Sequence, residues 1–237
     1  MFMGKLKNLS GGRILDVGTG VGELIPCIIE GFKDFREIVG IDSSDKALEY
    51  AGKRFQDERI SFEKIDGKHM TFEDNSFDTV CISNTLHHLN NEDMMMVLKE
   101  MKRVLKPEGH FIISEMYCDN QNEKQRSHVF LHHLSAEIDR INGGTHNYTF
   151  TRNEIIEIAN NIGLNARDTW DYKGTEDEEP IPAEEIEGIV QSFTKRIEGL
   201  KENAEYERIN IKVDELKKRL YEVGIAGATE LVIVAKK

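Results

Sequence analysis

Three glycines at alternate positions, Gly18, Gly20 and Gly22, follow directly on the run Ile14-Leu15-Asp16-Val17. Glycine has no Cβ, so a chain leaving a buried strand through such a bend lets a ligand approach its backbone closely. Asp42 ends the next apolar run, Ile38-Val39-Gly40-Ile41, 20 residues after Gly22. A carboxylate so placed, one strand over, can accept both hydroxyl hydrogens of a ribose. Bend and distant acid together predict a nucleoside-bearing ligand. A dinucleotide bend would put its third glycine where this chain has Glu23, and a carboxylate there repels a pyrophosphate. A cationic nucleoside without phosphate is compatible with the same acid.

Histidines supply the other candidate chemistry. His87 and His88 follow the apolar run Thr79–Ser83, on the rim where a substrate would meet such a ligand. An imidazole titrates near neutrality and can take a proton or hold a loop by hydrogen bonds. His128 and His132 are four apart and share a helix face, a spacing compatible with metal ligation. No HExxH is present and the nearby Glu137 and Asp139 do not obviously converge, so pocket polarity is the expectation and no metal is assigned. Tyr117, Arg140, Tyr148 and Arg152 are further candidates for substrate contact.

These residues need a scaffold that brings loop ends together, and the hydrophobic pattern supplies one. Short β-branched runs at Arg13–Val17, Glu37–Ile41, Ile60–Ile65, Thr79–Ser83 and His110–Glu115 alternate with helical stretches near Gly22–Gly31, Ser44–Phe55 and Glu92–Leu105. Pro107 and Gly109 are expected to end the last of these helices. Right-handed crossovers make such an alternation a doubly wound parallel sheet, with ligands beyond the carboxyl ends of its strands. Gln121–Ile141 then reads as a helix, Thr151-x-x-Glu154 as a capping box, Arg167–Tyr172 as a sixth strand and Thr229–Ala235 as a seventh. Residues 173–222 open with the acidic run Glu176–Pro180, a solvated turn. They continue with two apolar faces, Ile186 to Leu200 and Ile209 to Leu220, which predict a helical hairpin inserted between the last strands as packing, a lid or a homodimer contact. The expected division is residues 1–172 with 223–237 as one domain and 173–222 as the insertion.

Composition narrows the classes. Of 237 residues, 39% are hydrophobic and 31% charged, ordinary for a well-cored chain and against disorder. No apolar run approaches the roughly 18–20 residues of a membrane span, and Met1–Lys7 lacks the apolar stretch of a secretory leader. Cys27, Cys81 and Cys118 form no CxxC pair, which fits a reducing cytoplasm. A net charge of −12 opposes attraction to nucleic acid.

In sequence order, Asp16-Val-Gly18-Thr-Gly20-Val-Gly22, Asp42, Ile65-Asp66-Gly67, Phe77 to Leu89 and Leu105 to Phe111 resemble the successive motifs of the class I S-adenosylmethionine-dependent methyltransferases. The likeness is to the small-molecule group that includes ubiquinone and menaquinone biosynthesis enzymes. It covers roughly residues 10–117, and Leu231–Lys237 is similar to the family's closing strand. The resemblance implies a Rossmann-like, doubly wound, seven-stranded, mostly parallel α/β sheet with the last strand antiparallel, plus the helical insertion. It implies S-adenosylmethionine as cofactor, with Asp16 orienting its ammonium, Asp42 on the ribose and Asp66 on the exocyclic amine. Gly18, Thr19, Gly20, Gly22, Ser43, Gly67 and Asn84 complete the implied cofactor set. His87 and His88 are the catalytic candidates, and Tyr117, His128, His132, Arg140 and Tyr148 the substrate candidates.

Methyl transfer is an in-line displacement for which positioning supplies much of the rate, and a base is needed only when the nucleophile arrives protonated. The implied activity moves a methyl group to O, N, C or S of a small molecule. A non-catalytic S-adenosylmethionine-binding or scaffold protein is the alternative, followed by a nicotinamide oxidoreductase, for which no Tyr-x-x-x-Lys pair is present. Ser83-Asn84-Thr85-Leu86 departs from the Asn/Asp-Pro-Pro-aromatic pattern of enzymes acting on DNA bases. Asp78 is expected to brace backbone outside the site.

Overall fold

Arg13–Val17 forms β1, the central strand, and its Ile14, Leu15 and Val17 are buried because neighbours flank it on both edges. The computed structural model describes residues 4–164, 167–173 and 182–237. Its remaining strands are β2 (Glu37–Asp42), β3 (Ile60–Lys64), β4 (Phe77–Ser83), β5 (Leu105–Met116), β6 (Arg167–Tyr172) and β7 (Glu230–Lys236). They form one sheet in the order β3-β2-β1-β4-β5-β7-β6. The β1 to β5 pairings are parallel, as the doubly wound expectation required, and β7 runs antiparallel to β6, as the family resemblance implied. The order reverses between β1 and β4, so the loops after those strands open a crevice at one end of the sheet.

Among the described residues, seven α-helices connect the strands: α1 (Ile25–Gly31), α2 (Asp45–Arg54), α3 (Asn91–Val104), α4 (Glu123–Ile141), α5 (Arg152–Asn161), α6 (Ala183–Glu198) and α7 (Tyr206–Glu222). The register Ile14↔Ile38↔Ile60 places one residue from each of three strands in a core with Ile25 and Ile28 of α1. Ser44 caps α2 by accepting from Ala47 N at 3.2 Å, and Asn90 caps α3 by accepting from Asp93 N at 2.8 Å. α3 buries Met94, Val97, Leu98, Met101 and Val104 on one face.

The end of α3 differs from expectation. Leu105 is already extended (φ −72°, ψ 133°), so the helix passes straight into β5, and Pro107 and Gly109 lie inside that strand. Asp78 explains the irregular start. The β4/β5 register shifts between Phe77 and Thr79. There Asp78 accepts from Arg13 N at 2.8 Å and pairs with Lys106 Nζ at 2.7 Å. Asp78 therefore braces backbone, as the sequence suggested.

The chain divides into two compact units. The first comprises Met1–Glu115, Asn153–Tyr172 and Glu230–Lys237, and the second Met116–Arg152 and Lys173–Thr229. The second is larger than the expected insertion of residues 173–222 because α4 joins it. Leu134 and Ile138 of α4 share a core with Ile186, Val190, Phe193 and Ile197 of α6 and Ile209, Val213, Leu216 and Leu220 of α7. The acidic run Glu176–Pro180 lies outside the described residues. No helix among the described residues is long and apolar enough to cross a membrane.

One buried carboxylate ties α4 to α7. Glu137 accepts from Tyr148 Oη at 2.8 Å and pairs with Lys212 Nζ at 2.5 Å and with Arg208. Burial pushes its carboxyl up, and donation from Lys212, Arg208 and Tyr148 overrides this and holds it down at about 2. Since the ordinary value is 4.5, this contribution to stability is complete above that pH and is lost as pH falls toward about 2. Replacing Glu137 by Gln should cost about 2–3 kcal/mol at pH 7, less than a fully buried pair because its partners reach solvent. Denaturant midpoints at pH 7 and pH 3 check this: the variant's deficit should shrink at the lower pH, and an equal deficit at both contradicts the pairing.

Candidate active site

The bend after β1 is fastened across to β2. Gly18 N and Thr19 N donate to the carbonyl oxygen of Ile41 at 2.9 and 3.0 Å. Gly20 N donates to Asp42 Oδ2 at 3.0 Å and Ser44 N to Asp42 Oδ1 at 2.8 Å. Gly18 is required here twice over: its φ of +69° is left-handed, and a Cβ would fall 2.4 Å from Thr85 Cγ2 on the neighbouring loop. Gly20, at φ +53°, has nothing within 4 Å in that direction, so the backbone there faces open space.

That space is a cleft of about 600 Å³ at the carboxyl ends of β1, β2 and β4. Asp16, Gly18, Thr19, Gly20, Asp42 and Ser43 line one side, Asp66 and Gly67 another, and Asn84 and His88 the β4 side. The expected cofactor residues therefore converge, with one exception. Gly22 is not on the cleft wall; its N–H closes the turn on Thr19 O at 2.8 Å, and a Cβ there would strike Phe55. Sequence reasoning missed the apolar wall of Ile41, Ile65, Leu89 and Val97, and also Thr85. Thr85 stands next to Asn84 and could have been read from that adjacency, whereas Val97 belongs to a helix face that reads simply as core.

The electrostatics of the cleft are one-sided. Asp16, Glu23, Asp42 and Asp66 line it, and no Lys or Arg does among the described residues. Asp16 is 1% exposed and accepts from Thr19 Oγ1 at 2.7 Å. Burial pushes its carboxyl up to about 7, against the Thr19 hydrogen bond and with help from the Asp42 charge. Asp66 accepts from Lys68 N at 3.0 Å and stays half exposed. A pyrophosphate in this cleft would meet the carboxylates of Asp16 and Asp42 as well as Glu23, paired with Arg54 at 3.2 Å, and Asp66, 3.8 Å from Lys68, whereas a cationic ligand would relieve the cost of ionising Asp16.

The two histidines separate. His88 is exposed and lines the cleft, while His87 is fully buried and not on its wall. His87 Nδ1 lies 2.5 Å from Glu115 Oε1, and Glu115 also accepts from Leu86 N at 3.1 Å. The rim position expected for His87 is thus corrected: a carboxylate in β5 draws the ring inward. It remains in contact with His88, ring centroids 4.4 Å apart.

The substrate candidates all fall in the second unit. Tyr117 is 4% exposed and bridges to Phe150. His128 Nδ1 accepts from Ala228 N at 2.9 Å, burial lowers its pKa, and its ring meets His132 edge-on at 4.8 Å. Tyr148 stacks on His133 at 4.5 Å, and the Arg140 guanidinium lies 4.5 Å from the centre of its ring. Arg140 and Tyr148 are therefore brought together, whereas Tyr117 and His128 are engaged in packing and backbone contacts.

Residues 15–113 match the methyltransferase domain family. Over 108 residues the chain is 35% identical to a demethylmenaquinone methyltransferase of Thermotoga maritima, covering 46% of this chain and 45% of that protein. Over 125 residues it is 38% identical to a sterol 24-C-methyltransferase of Aspergillus fumigatus, covering 49% of this chain and 32% of that one. The chain thus spans less than half the length of these curated relatives. A solved S-adenosylmethionine-dependent methyltransferase from Archaeoglobus fulgidus superposes with a TM-score of 0.55 at 18% identity, over 100% of this chain and 88% of that one, a likeness of fold. Residues 15–113 are thus similar to the methyltransferase domain family, and the strand order with its antiparallel β7 is that of the Rossmann-like methyltransferase fold.

Proposed function

We propose that the cleft binds S-adenosylmethionine and that the protein transfers its methyl group to a small, partly apolar acceptor at O, N, C or S. The observation that carries this reading is the acidic cleft, lined by no basic side chain among the described residues and built around a buried carboxyl poised at about 7. When bound, the cofactor supplies a methyl carbon activated by the sulfonium.

The chain's own residues bind and orient. Asp16 faces the methionine ammonium, with Gly18 and Gly20 letting the backbone approach. Asp42 keeps its carboxylate fixed by Gly20 N and Ser44 N and accepts from the ribose hydroxyls. Asp66 accepts from the adenine amine, while Ile65, Leu89 and Val97 offer apolar surface to the ring. His88, on the β4 wall, is the residue able to take a proton from an acceptor that arrives protonated. Relatives named for demethylmenaquinone and for sterol support an acceptor with apolar character. The three cysteines Cys27, Cys81 and Cys118, with no CxxC pair, support a reducing, cytoplasmic setting, and the net charge of −12 supports a small-molecule rather than a nucleic-acid acceptor. Incubation with labelled S-adenosylmethionine and cell extracts should release S-adenosylhomocysteine and label a small molecule; binding without any transfer would leave a non-catalytic binding protein.

Two measurements examine the cofactor residues. Asp42→Ala should weaken S-adenosylmethionine binding by about 1–3 kcal/mol through loss of a charged acceptor, read by calorimetry; unchanged affinity places the ribose elsewhere. Asp16 must lose its proton to meet a cation, so affinity should rise with pH up to about 7, by up to about tenfold per unit below it. In the ligand-free protein the sign is opposite. A carboxyl raised from 3.8 to about 7 favours the folded state at low pH, and that contribution is lost as pH rises through about 7. Asp16→Asn should therefore melt higher than the unaltered protein at pH 8 without ligand, yet bind weakly and without this pH dependence. A lower melting temperature at pH 8 contradicts the assignment.

A further inference from the structure

The second unit holds a cavity of its own. Phe130, His133, Leu134 and Glu137 of α4, Tyr148 in the segment after it and Lys212 of α7 line about 240 Å³, and none of them lines the acidic cleft. A cavity of roughly 150 Å³ already takes a benzene ring, and drug-sized ligands need about 300 Å³ or more. The volume therefore suits a single ring carrying one small substituent. Phe130 and Leu134 give that ring an apolar wall, while the Tyr148 ring is already engaged by His133 and by the Arg140 guanidinium.

The polar residues of the lining settle which substituent fits. Glu137, its side chain 8% exposed, takes donors from Tyr148, Lys212 and Arg208, and with its carboxyl held at about 2 it is ionised at neutral pH. Its demand is met from within the protein. Lys212 gives Glu137 one hydrogen bond, at 2.5 Å, and its side chain is still 33% exposed; an ammonium has three N–H groups to give. Arg208 is shared with Glu205 at 2.7 Å, and Arg140 is exposed and makes no ion pair among the described residues. Three cations, Lys212, Arg208 and Arg140, thus stand against two carboxylates, Glu137 and Glu205, the reverse of the acid-lined cleft in the first unit. We propose that this cavity binds a small aromatic carboxylate, its ring against Phe130 and Leu134 and its charged oxygens on the remaining N–H groups of Lys212. A neutral ring would gain the apolar contact alone, and a cation would be repelled.

The test titrates benzoate, with toluene as the uncharged ring, into the full chain and follows the Tyr148 ring resonances, identified by their absence in Tyr148→Phe. Benzoate should shift them saturably with a dissociation constant of about 1 mM or below, and toluene should bind more weakly. Lys212→Met keeps the length of the side chain and leaves Glu137 with Arg208 and Tyr148; it should weaken benzoate about tenfold, the worth of a hydrogen bond to a charged group, and leave toluene unchanged. Phe130→Trp touches none of the charges and fills the cavity, so it should abolish the shifts by both compounds, which keeps the proposal open to refutation should Lys212→Met not fold. Benzoate shifts that do not saturate, benzoate bound no more tightly than toluene, Lys212→Met binding benzoate as the unaltered protein does, or shifts that persist in Phe130→Trp each overturn the proposal. None of these measurements uses S-adenosylmethionine, so failure here leaves the reading of the cleft untouched.

Discussion

A carboxyl group kept out of water at the end of the central strand is the constraint from which the first unit is best understood. Asp16 sits on β1 beside the buried Ile14, Leu15 and Val17, and β1 is flanked by β2 and β4. Only the Thr19 hydroxyl is seen donating to it, and that compensates burial in part. A fold optimised only for stability would place an apolar residue here. The Asp42 charge nearby raises that cost rather than lowering it. Among the described residues no basic side chain lines the cleft wall to offset it.

The β4 loop shows the same economy from the other direction. Residues 83–89 are held by two carboxylates on adjacent strands, Glu115 taking Leu86 N and His87, Glu230 taking Asn84. Neither carboxylate is on the cleft wall, although Asn84, which one of them holds, is. His88 is at the cleft because its neighbour is withdrawn into the sheet.

Much of this was legible in the sequence, and the reasons are physical. Strand positions followed from β-branched runs, and the bend and Asp42 from a short-range pattern, since such features are encoded within a few residues. What escaped depends on partners distant in the chain. The inward turn of His87 needs Glu115, 28 residues away, and the hold on the Asn84 side chain needs Glu230, 146 residues away. The face of α4 was recognised as apolar, but periodicity does not say which core it enters, and Leu134 and Ile138 enter that of α6 and α7. Gly22 shares its spacing with Gly18 and Gly20 but answers to Phe55 instead of a ligand.

The position of β7 in the sheet has a consequence for how the molecule is made. Among the strands it is the last to emerge from the ribosome, yet it lies between β5 and β6, so β6 has no neighbour until β7 arrives. Such non-local pairing is slow, and it is inserted rather than appended. The nascent chain must keep an open slot in the sheet until residues 230–236 have been made, and a ribosome that stalls before residue 230 leaves two unsatisfied strand edges for chaperones to shield.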